Sequence, residues 1–171
     1  MTSASASRIR DYRPGDLTGI VGLVRELQAH EARFYDRMLP AADMGVWYVE
    51  RLLDQCRSHA GRILVAEADD GLLGYATVLT RVDEDADDEI AHSYALVGDL
   101  VVGRAARGHG IGRQLLEACE AEARRRAAGH LRVTALAANR RALDIYHAFG
   151  FRELFVDLEK PLAKEEPPPC D

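Results

Sequence analysis

A chain of 171 residues with 47% apolar and 29% charged side chains can bury one sizeable core, and both fractions are ordinary for a soluble globular domain. Its formal net charge of -6 disfavours broad nucleic-acid binding, which rests on a cationic surface. Cys56, Cys119 and Cys170 share no close spacing, so they fit reduced thiols of a cytoplasmic protein better than a disulfide framework or a zinc site, and no run approaches the roughly 18 apolar residues of a membrane span.

Residues 1–7 are rich in Ser and Ala and lack the apolar run of a signal peptide. They and the Glu/Pro-containing residues 163–171 read as flexible ends around a single domain over residues 8–162. Ile9 to Tyr12 suits a short strand. Pro14-Gly15-Asp16 then breaks the chain and starts a helix whose buried face is Leu17, Ile20, Val21, Val24 and Leu27. Val46, Val49, Leu52, Leu53 and Cys56 predict a second amphipathic helix. Ile63–Ala66 and Leu73–Leu79 flank the turn Asp69-Asp70-Gly71 and predict an antiparallel hairpin. An acidic loop spans 83–89, followed by a long, mostly apolar strand from Tyr94 to Val102.

A glycine-rich turn leads from that strand into a helix over about Gly112–Ala128, with Ile111, Leu115, Ala118, Cys119 and Ala123 on its apolar stripe and Gly129 as its stop. Leu131–Leu136 returns as a strand. Strand, helix, strand in this order implies a parallel, right-handed crossover. Asn139 caps a last helix that runs through His147, and Phe151–Leu158 reads as a closing strand. The fold class is α/β (α+β), with a mixed, mostly antiparallel sheet of about six to seven strands and helices on both faces.

Gly108, Gly110 and Gly112 stand between a buried strand and a helix start. The first turn of a helix carries unpaired N–H groups and a partial positive charge, and glycine lets the backbone approach a phosphate closely. A plain strand–helix turn would need one glycine at positive φ, whereas three at alternating positions point to an anion site. The spacing G-x-G-x-G differs from the dinucleotide fingerprint G-x-G-x-x-G, and no acidic residue follows at the ribose-binding offset, which disfavours a nucleotide-linked oxidoreductase. The Gly-Lys-Ser/Thr of a P-loop is not present either.

The segment Arg107-Gly108-His109-Gly110-Ile111-Gly112, preceded by Asp99-Leu100-Val101-Val102, resembles the Gln/Arg-x-x-Gly-x-Gly/Ala signature of the GNAT superfamily of N-acetyltransferases. Asn139-Arg140-Arg141-Ala142-Leu143-Asp144-Ile145-Tyr146-His147-Ala148-Phe149-Gly150-Phe151 is similar to that family's second element. The match is close over residues 94–155 and rests on element order over residues 8–81. The resemblance implies a GNAT-like fold, acetyl-CoA as co-substrate without a metal, and transfer of the acetyl group to a primary amine by direct attack in a ternary complex. It implies that Leu100, Val101 and Val102 pair with the pantetheine arm, and that Arg107, Gly108, His109, Gly110, Ile111, Gly112 and Arg113 form the pyrophosphate loop through their backbone. Asn139 would hydrogen-bond the cofactor arm, and Tyr146 would face the sulfur and protonate the departing thiolate. By residue type alone, Tyr146 reads as core, Asn139 as a helix cap and His109 as a solvated side chain. Contact to the 3′-phosphate is open among Arg104, Arg113, Arg140 and Arg141.

An amine of pKa near 10.4 must lose a proton at a cost of about 4.6 kcal/mol at pH 7, so a base is needed. Many relatives carry a glutamate where this chain has Gly98. Asp99 is the nearest carboxylate and the candidate base, although strict pleating sets it on the face opposite Gly98. A water relay to Glu67 or to the 83–89 loop is the alternative. His30, Glu31, Phe34, Tyr35 and Trp47 fall where the family shapes its acceptor site, and carboxylates with aromatics suit a cationic amine. Polyamines, amino acids, aminoglycosides and protein amines stay open as acceptors, a homodimer is compatible, and nucleic acid and membrane are not expected partners. The competing reading is a non-catalytic CoA-binding regulatory module on the same fold.

Overall fold

The hairpin signal at Asp69-Asp70 is realised as the centre of the sheet in the computed structural model, which describes residues 7–84, 88 and 90–162. The expected flexible ends (residues 1–6 and 163–171) and most of the acidic loop (85–87 and 89) lie outside the described residues. Strand β2 (Arg62–Ala68) turns back into β3 (Gly71–Glu84), with Ala68 opposite Gly71 and Gly71 at φ +124°. β1 (Arg8–Asp11) pairs with β2, and β4 (His92–Val102) pairs with β3, both antiparallel. β5 (Leu131–Val133) lies parallel to β4, and the order across the sheet is β1-β2-β3-β4-β5.

Helices α1 (Leu17–Glu31) and α2 (Val46–Ser58) cover one face, and α3 (Ile111–Arg125) and α4 (Arg140–Phe149) cover the other. Alternating residues of the strands feed the two cores. Val65, Tyr75 and Val101 pack with Ile20, Val24 and Val49, while Ala66, Ala76, Val78 and Val97 pack with Leu115, Leu116 and Cys119. Burial on both faces explains the near-continuous apolar runs of β2 and β3. No helix among the described residues is long and apolar enough to cross a membrane.

Two sequence expectations are corrected. The sheet has five strands among the described residues, and Phe151–Leu158 joins no ladder. Its period-two pattern is that of a strand, but a strand exists only with a hydrogen-bonded neighbour, and β5 offers three residues instead of the six expected to Leu136. Strict alternation along β4 also fails. Between the pairs Val78↔Val97 and Ala76↔Leu100, the single residue Thr77 of β3 faces both Gly98 and Asp99. This is a β-bulge, closed by the Asp99 N–H donating to Thr77 Oγ1 at 2.7 Å. It resets the pleat, so Leu96 and Val101 pack on the α1/α2 side while Val97, Leu100 and Val102 pack on the α3 side.

Candidate active site

β4 and β5 pair only over Ala95–Val97 and Leu131–Val133. Past that point β4 runs on through Leu100, Val101 and Val102 with β3 on one side and, among the described residues, no strand on the other. The sheet therefore opens a split along the Leu100–Val102 stretch of β4.

At one end of the split the chain leaves β4 through a single 3-10 turn, Arg104–Ala106, and enters α3. Gly108 and Gly110 adopt φ +84° and +78°, left-handed conformations that favour glycine. Gly110 is the N-cap of α3. Among the described residues nothing accepts a hydrogen bond from the N–H groups of residues 108–113, and the first amide of the helix to be satisfied is Gln114, to Gly110 O at 3.1 Å. Ile111 plugs its side chain into the core while its amide stays at the exposed helix start. Gly112 rests over Val102, where an added Cβ would make only an ordinary contact of 3.6 Å. The Arg107 Nε donates to Val102 O at 3.0 Å and so braces the loop against the strand end. His109 is exposed, and Arg113 is paired with Glu117 on the helix surface.

Asn139 caps α4, its Oδ1 accepting from Ala142 N at 3.3 Å. Burial, together with the charges of Arg107 and Arg33, lowers the pKa of His30 at the end of α1. Tyr146, two turns into α4, buries its ring against Phe151, with centroids 5.8 Å apart. Its hydroxyl makes no hydrogen bond to another described residue, and the residue as a whole is 9% exposed. Burial, with Glu31 and Asp99 nearby, pushes its pKa up to about 12. The ring of Tyr146 is thus part of the α3/α4 core, as its residue type implies.

Asp99 is turned by the bulge toward α2. Tyr75 donates to it at 2.7 Å and Tyr48 at 3.2 Å to the same oxygen. Burial raises the Asp99 pKa, opposed by these two phenols and by Arg51. Glu31 is also raised, by burial and then by Asp99. Asp99, Glu31 and Tyr146 are close enough to act on one another electrostatically, so the structure brings two carboxylates and a phenol to one place. Glu67 stands elsewhere, on the outer part of the sheet. Arg10 and Arg8 bind it and draw its pKa down to about 2.

Tyr48, Tyr75 and Thr77 were not singled out by the sequence, because they read as an amphipathic helix residue and two strand core residues. Only the bulge, a property of two strands together, gives the two tyrosines a carboxylate to hold and Thr77 the Asp99 N–H to accept. Trp47 donates to Asp43 O at 3.0 Å and stands edge-on to Tyr48, and Phe34 stands edge-on to His30, so both border this region. Tyr35 instead stacks with the Arg37 guanidinium, 4.6 Å from its ring centre. The described residues contain no group of three His, Cys, Asp or Glu able to hold a metal.

None of the curated proteins matches the chain in sequence. Solved structures match its fold over nearly its whole length. A mutant protein from Bacillus halodurans superposes with a TM-score of 0.81 at 19% identity, covering 91% of this chain and 99% of that one. A protein described as a transcriptional regulator from Bacillus halodurans C-125 gives 0.71 at 21% identity, covering 92% and 100%. An aminoglycoside N-acetyltransferase in complex with CoA gives 0.69 at 17% identity, covering 95% and 98%. The family model described as Acetyltransferase (GNAT) family matches residues 24–151, a span holding the glycine turn, the β4–β5 split, Asn139 and Tyr146, and the chain therefore belongs to the GNAT acetyltransferase family.

Proposed function

We propose that this protein is an N-acetyltransferase that uses acetyl-CoA and acetylates a primary amine of cationic character by direct attack in a ternary complex. The observation that carries the reading is the row of amides over residues 108–113 that find no partner among the described residues, in the family-matched span that also holds Asp99 and Tyr146. A helix start with free N–H groups and two glycines at positive φ suits a diphosphate. The open side of β4 over Leu100–Val102 suits an amide-bearing arm lying in the split, with Asn139 at its flank.

When bound, acetyl-CoA supplies a thioester carbonyl open to attack by an amine. Asp99 takes the proton that the attacking ammonium must lose. Its raised pKa makes it a better proton acceptor than an ordinary carboxylate, and the phenols of Tyr75 and Tyr48 hold it in place. The Tyr146 hydroxyl, protonated at neutral pH, donates its proton to the departing sulfur. Glu31 adds a second negative charge that favours a cationic acceptor. The arrangement leaves the acceptor class as stated in the sequence reading: polyamine, amino acid, aminoglycoside or protein amine.

Calorimetric titration with acetyl-CoA, followed by thiol release across a panel of primary amines, tests the proposal. Saturable binding with turnover on at least one amine is expected. Absence of saturable binding overturns it, and binding without turnover across the panel supports the regulatory module instead.

A further inference from the structure

Val49, Leu52 and Cys56 turn one side of α2 into the core, which leaves Tyr48 half-buried at its margin and Arg51, about one turn on, exposed. The Tyr48 ring is held at three points. Its hydroxyl donates to Asp99 at 3.2 Å, Trp47 stands edge-on to it with ring centres 5.6 Å apart, and the Arg51 guanidinium lies over its face, 4.3 Å from the centre. One phenol therefore carries a carboxylate at its tip and a cation on its face. Burial raises the pKa of both Tyr48 and Asp99, and in each the Arg51 charge works against that rise.

Arg51 makes no ion pair among the described residues, whereas Arg57, further along the same helix, is paired with Asp54. An arginine stacked on a ring keeps the edge of its guanidinium free, and its N–H groups there form a planar fork that matches a carboxylate. Gly98, the exposed residue before Asp99 on β4, brings no side chain and no charge that would turn an anion away. The neighbourhood of Asp99 thus offers a proton acceptor and, across one phenol ring, a cation without a counter-ion.

We propose that Arg51 binds the carboxylate of the acceptor, and that the acceptor is a free amino acid. This rests on the acetyl-transfer reading above and narrows it. Polyamines and aminoglycosides carry no anionic group, and a protein amine has one beside it only by accident of sequence. An amino acid always carries one within a few bonds of its amine. Its ammonium meets Asp99 and its carboxylate meets Arg51, with the Tyr48 ring setting the separation. The carbon–nitrogen bond forms as the carbon–sulfur bond breaks. Nitrogen gives up two protons, one made good on sulfur by Tyr146 and one taken by Asp99.

Thiol release from acetyl-CoA compares amino acids with their own carboxamides, pairs that differ in the carboxylate alone. The parent protein should prefer at least one amino acid over its carboxamide by roughly tenfold or more in kcat/KM. Arg51→Met keeps a long apolar stem on the Tyr48 ring and removes the fork, and it should cut that preference by roughly 10- to 100-fold, mostly through KM. Arg51→Lys, which keeps the charge without the planar fork, should fall between the two. A purely structural Arg51, acting through Tyr48 on Asp99, would slow both members of a pair alike, and an unchanged ratio in Arg51→Met would overturn the proposal. A parent protein that turns over carboxamides or plain diamines as well as amino acids would overturn it too, while leaving acetyl transfer standing. Failure to release thiol with any amine would remove the acetyl-transfer reading and this inference with it.

Discussion

Replacing Gly110 by Asp probes the proposed diphosphate grip most directly, because its effects on the fold and on binding separate. Gly110 is exposed at φ +78°, and a Cβ added there meets no atom within 4 Å, so the protein itself has room for the side chain. The cost to stability is the left-handed backbone, about 1–2 kcal/mol for an ordinary residue and less for Asp or Asn, which visit that region more readily. The cost to binding is electrostatic. At roughly 5 Å, two unit charges repel by about 3 kcal/mol at an effective dielectric of 20 and by under 1 kcal/mol in bulk water. For an exposed loop facing two phosphate charges the sum falls near 2–4 kcal/mol, or a roughly 30- to 1000-fold rise in the acetyl-CoA dissociation constant. Gly110→Asn shares the shape and backbone tolerance without the charge and should weaken binding only a few-fold, and the difference between the two variants should shrink as salt is added. Calorimetric titration alongside urea unfolding measures both terms. A folded Gly110→Asp protein that binds acetyl-CoA within threefold of the parent would remove the amides of residues 108–113 from the binding site.

Tyr146→Phe keeps the ring packing and removes only the hydroxyl, so kcat should fall by roughly 100-fold with the acetyl-CoA dissociation constant unchanged, as read by thiol release and calorimetry. Because burial raises the Asp99 pKa and the anion is the proposed base, kcat/KM should fall as pH drops through that raised value; Asp99→Asn should abolish this limb, and Tyr48→Phe, which removes a donor favouring the anion, should move it to higher pH. Asp16 has the opposite sign: Arg10 lowers its pKa, so its contribution is present above the ordinary carboxylate range and lost as pH falls through the depressed value. Asp16→Asn breaks a largely buried bidentate pair, should cost about 3 kcal/mol at neutral pH in urea unfolding, and should flatten the acid limb of stability. Gly98→Ala would place a Cβ 2.6 Å from Thr77 Oγ1 and should cost about 1–3 kcal/mol, part of it recovered by Thr77→Ala in the same chain.

What the sequence made legible was local. The turn at Gly108–Gly112 and the cap at Asn139 are each set by residues within one turn of the chain: the Asn139–Ala142 bond appears as a cap implies, and two of the three glycines take positive φ where a plain turn would need one. The amphipathic helices were equally readable, since each buries a stripe that recurs along its own segment. The side to which Asp99 turns was not readable, because the bulge arises from the pairing of β3 with β4 across about twenty residues of sequence. The closing strand failed for the same reason: its alternation is local, and its partner is not.

The departure at Gly98 follows from that bulge. In a family where many members carry a glutamate at this position, a residue without a side chain reads as a lost base. Thr77 changes that reading, since its hydroxyl occupies the space a Cβ would enter and accepts the Asp99 N–H that the bulge would otherwise leave unpaired. The two-for-one pairing opposite Thr77 turns Asp99 toward α2, where Tyr75 and Tyr48 receive it. A carboxylate one residue along thus stands among the α1 and α2 side chains, near Glu31 and Tyr146. Placing a glutamate at position 98 would press on Thr77 and, by displacing its hydroxyl, loosen the hold on Asp99, so on the proposed role of Asp99 as base Gly98→Glu should lower activity.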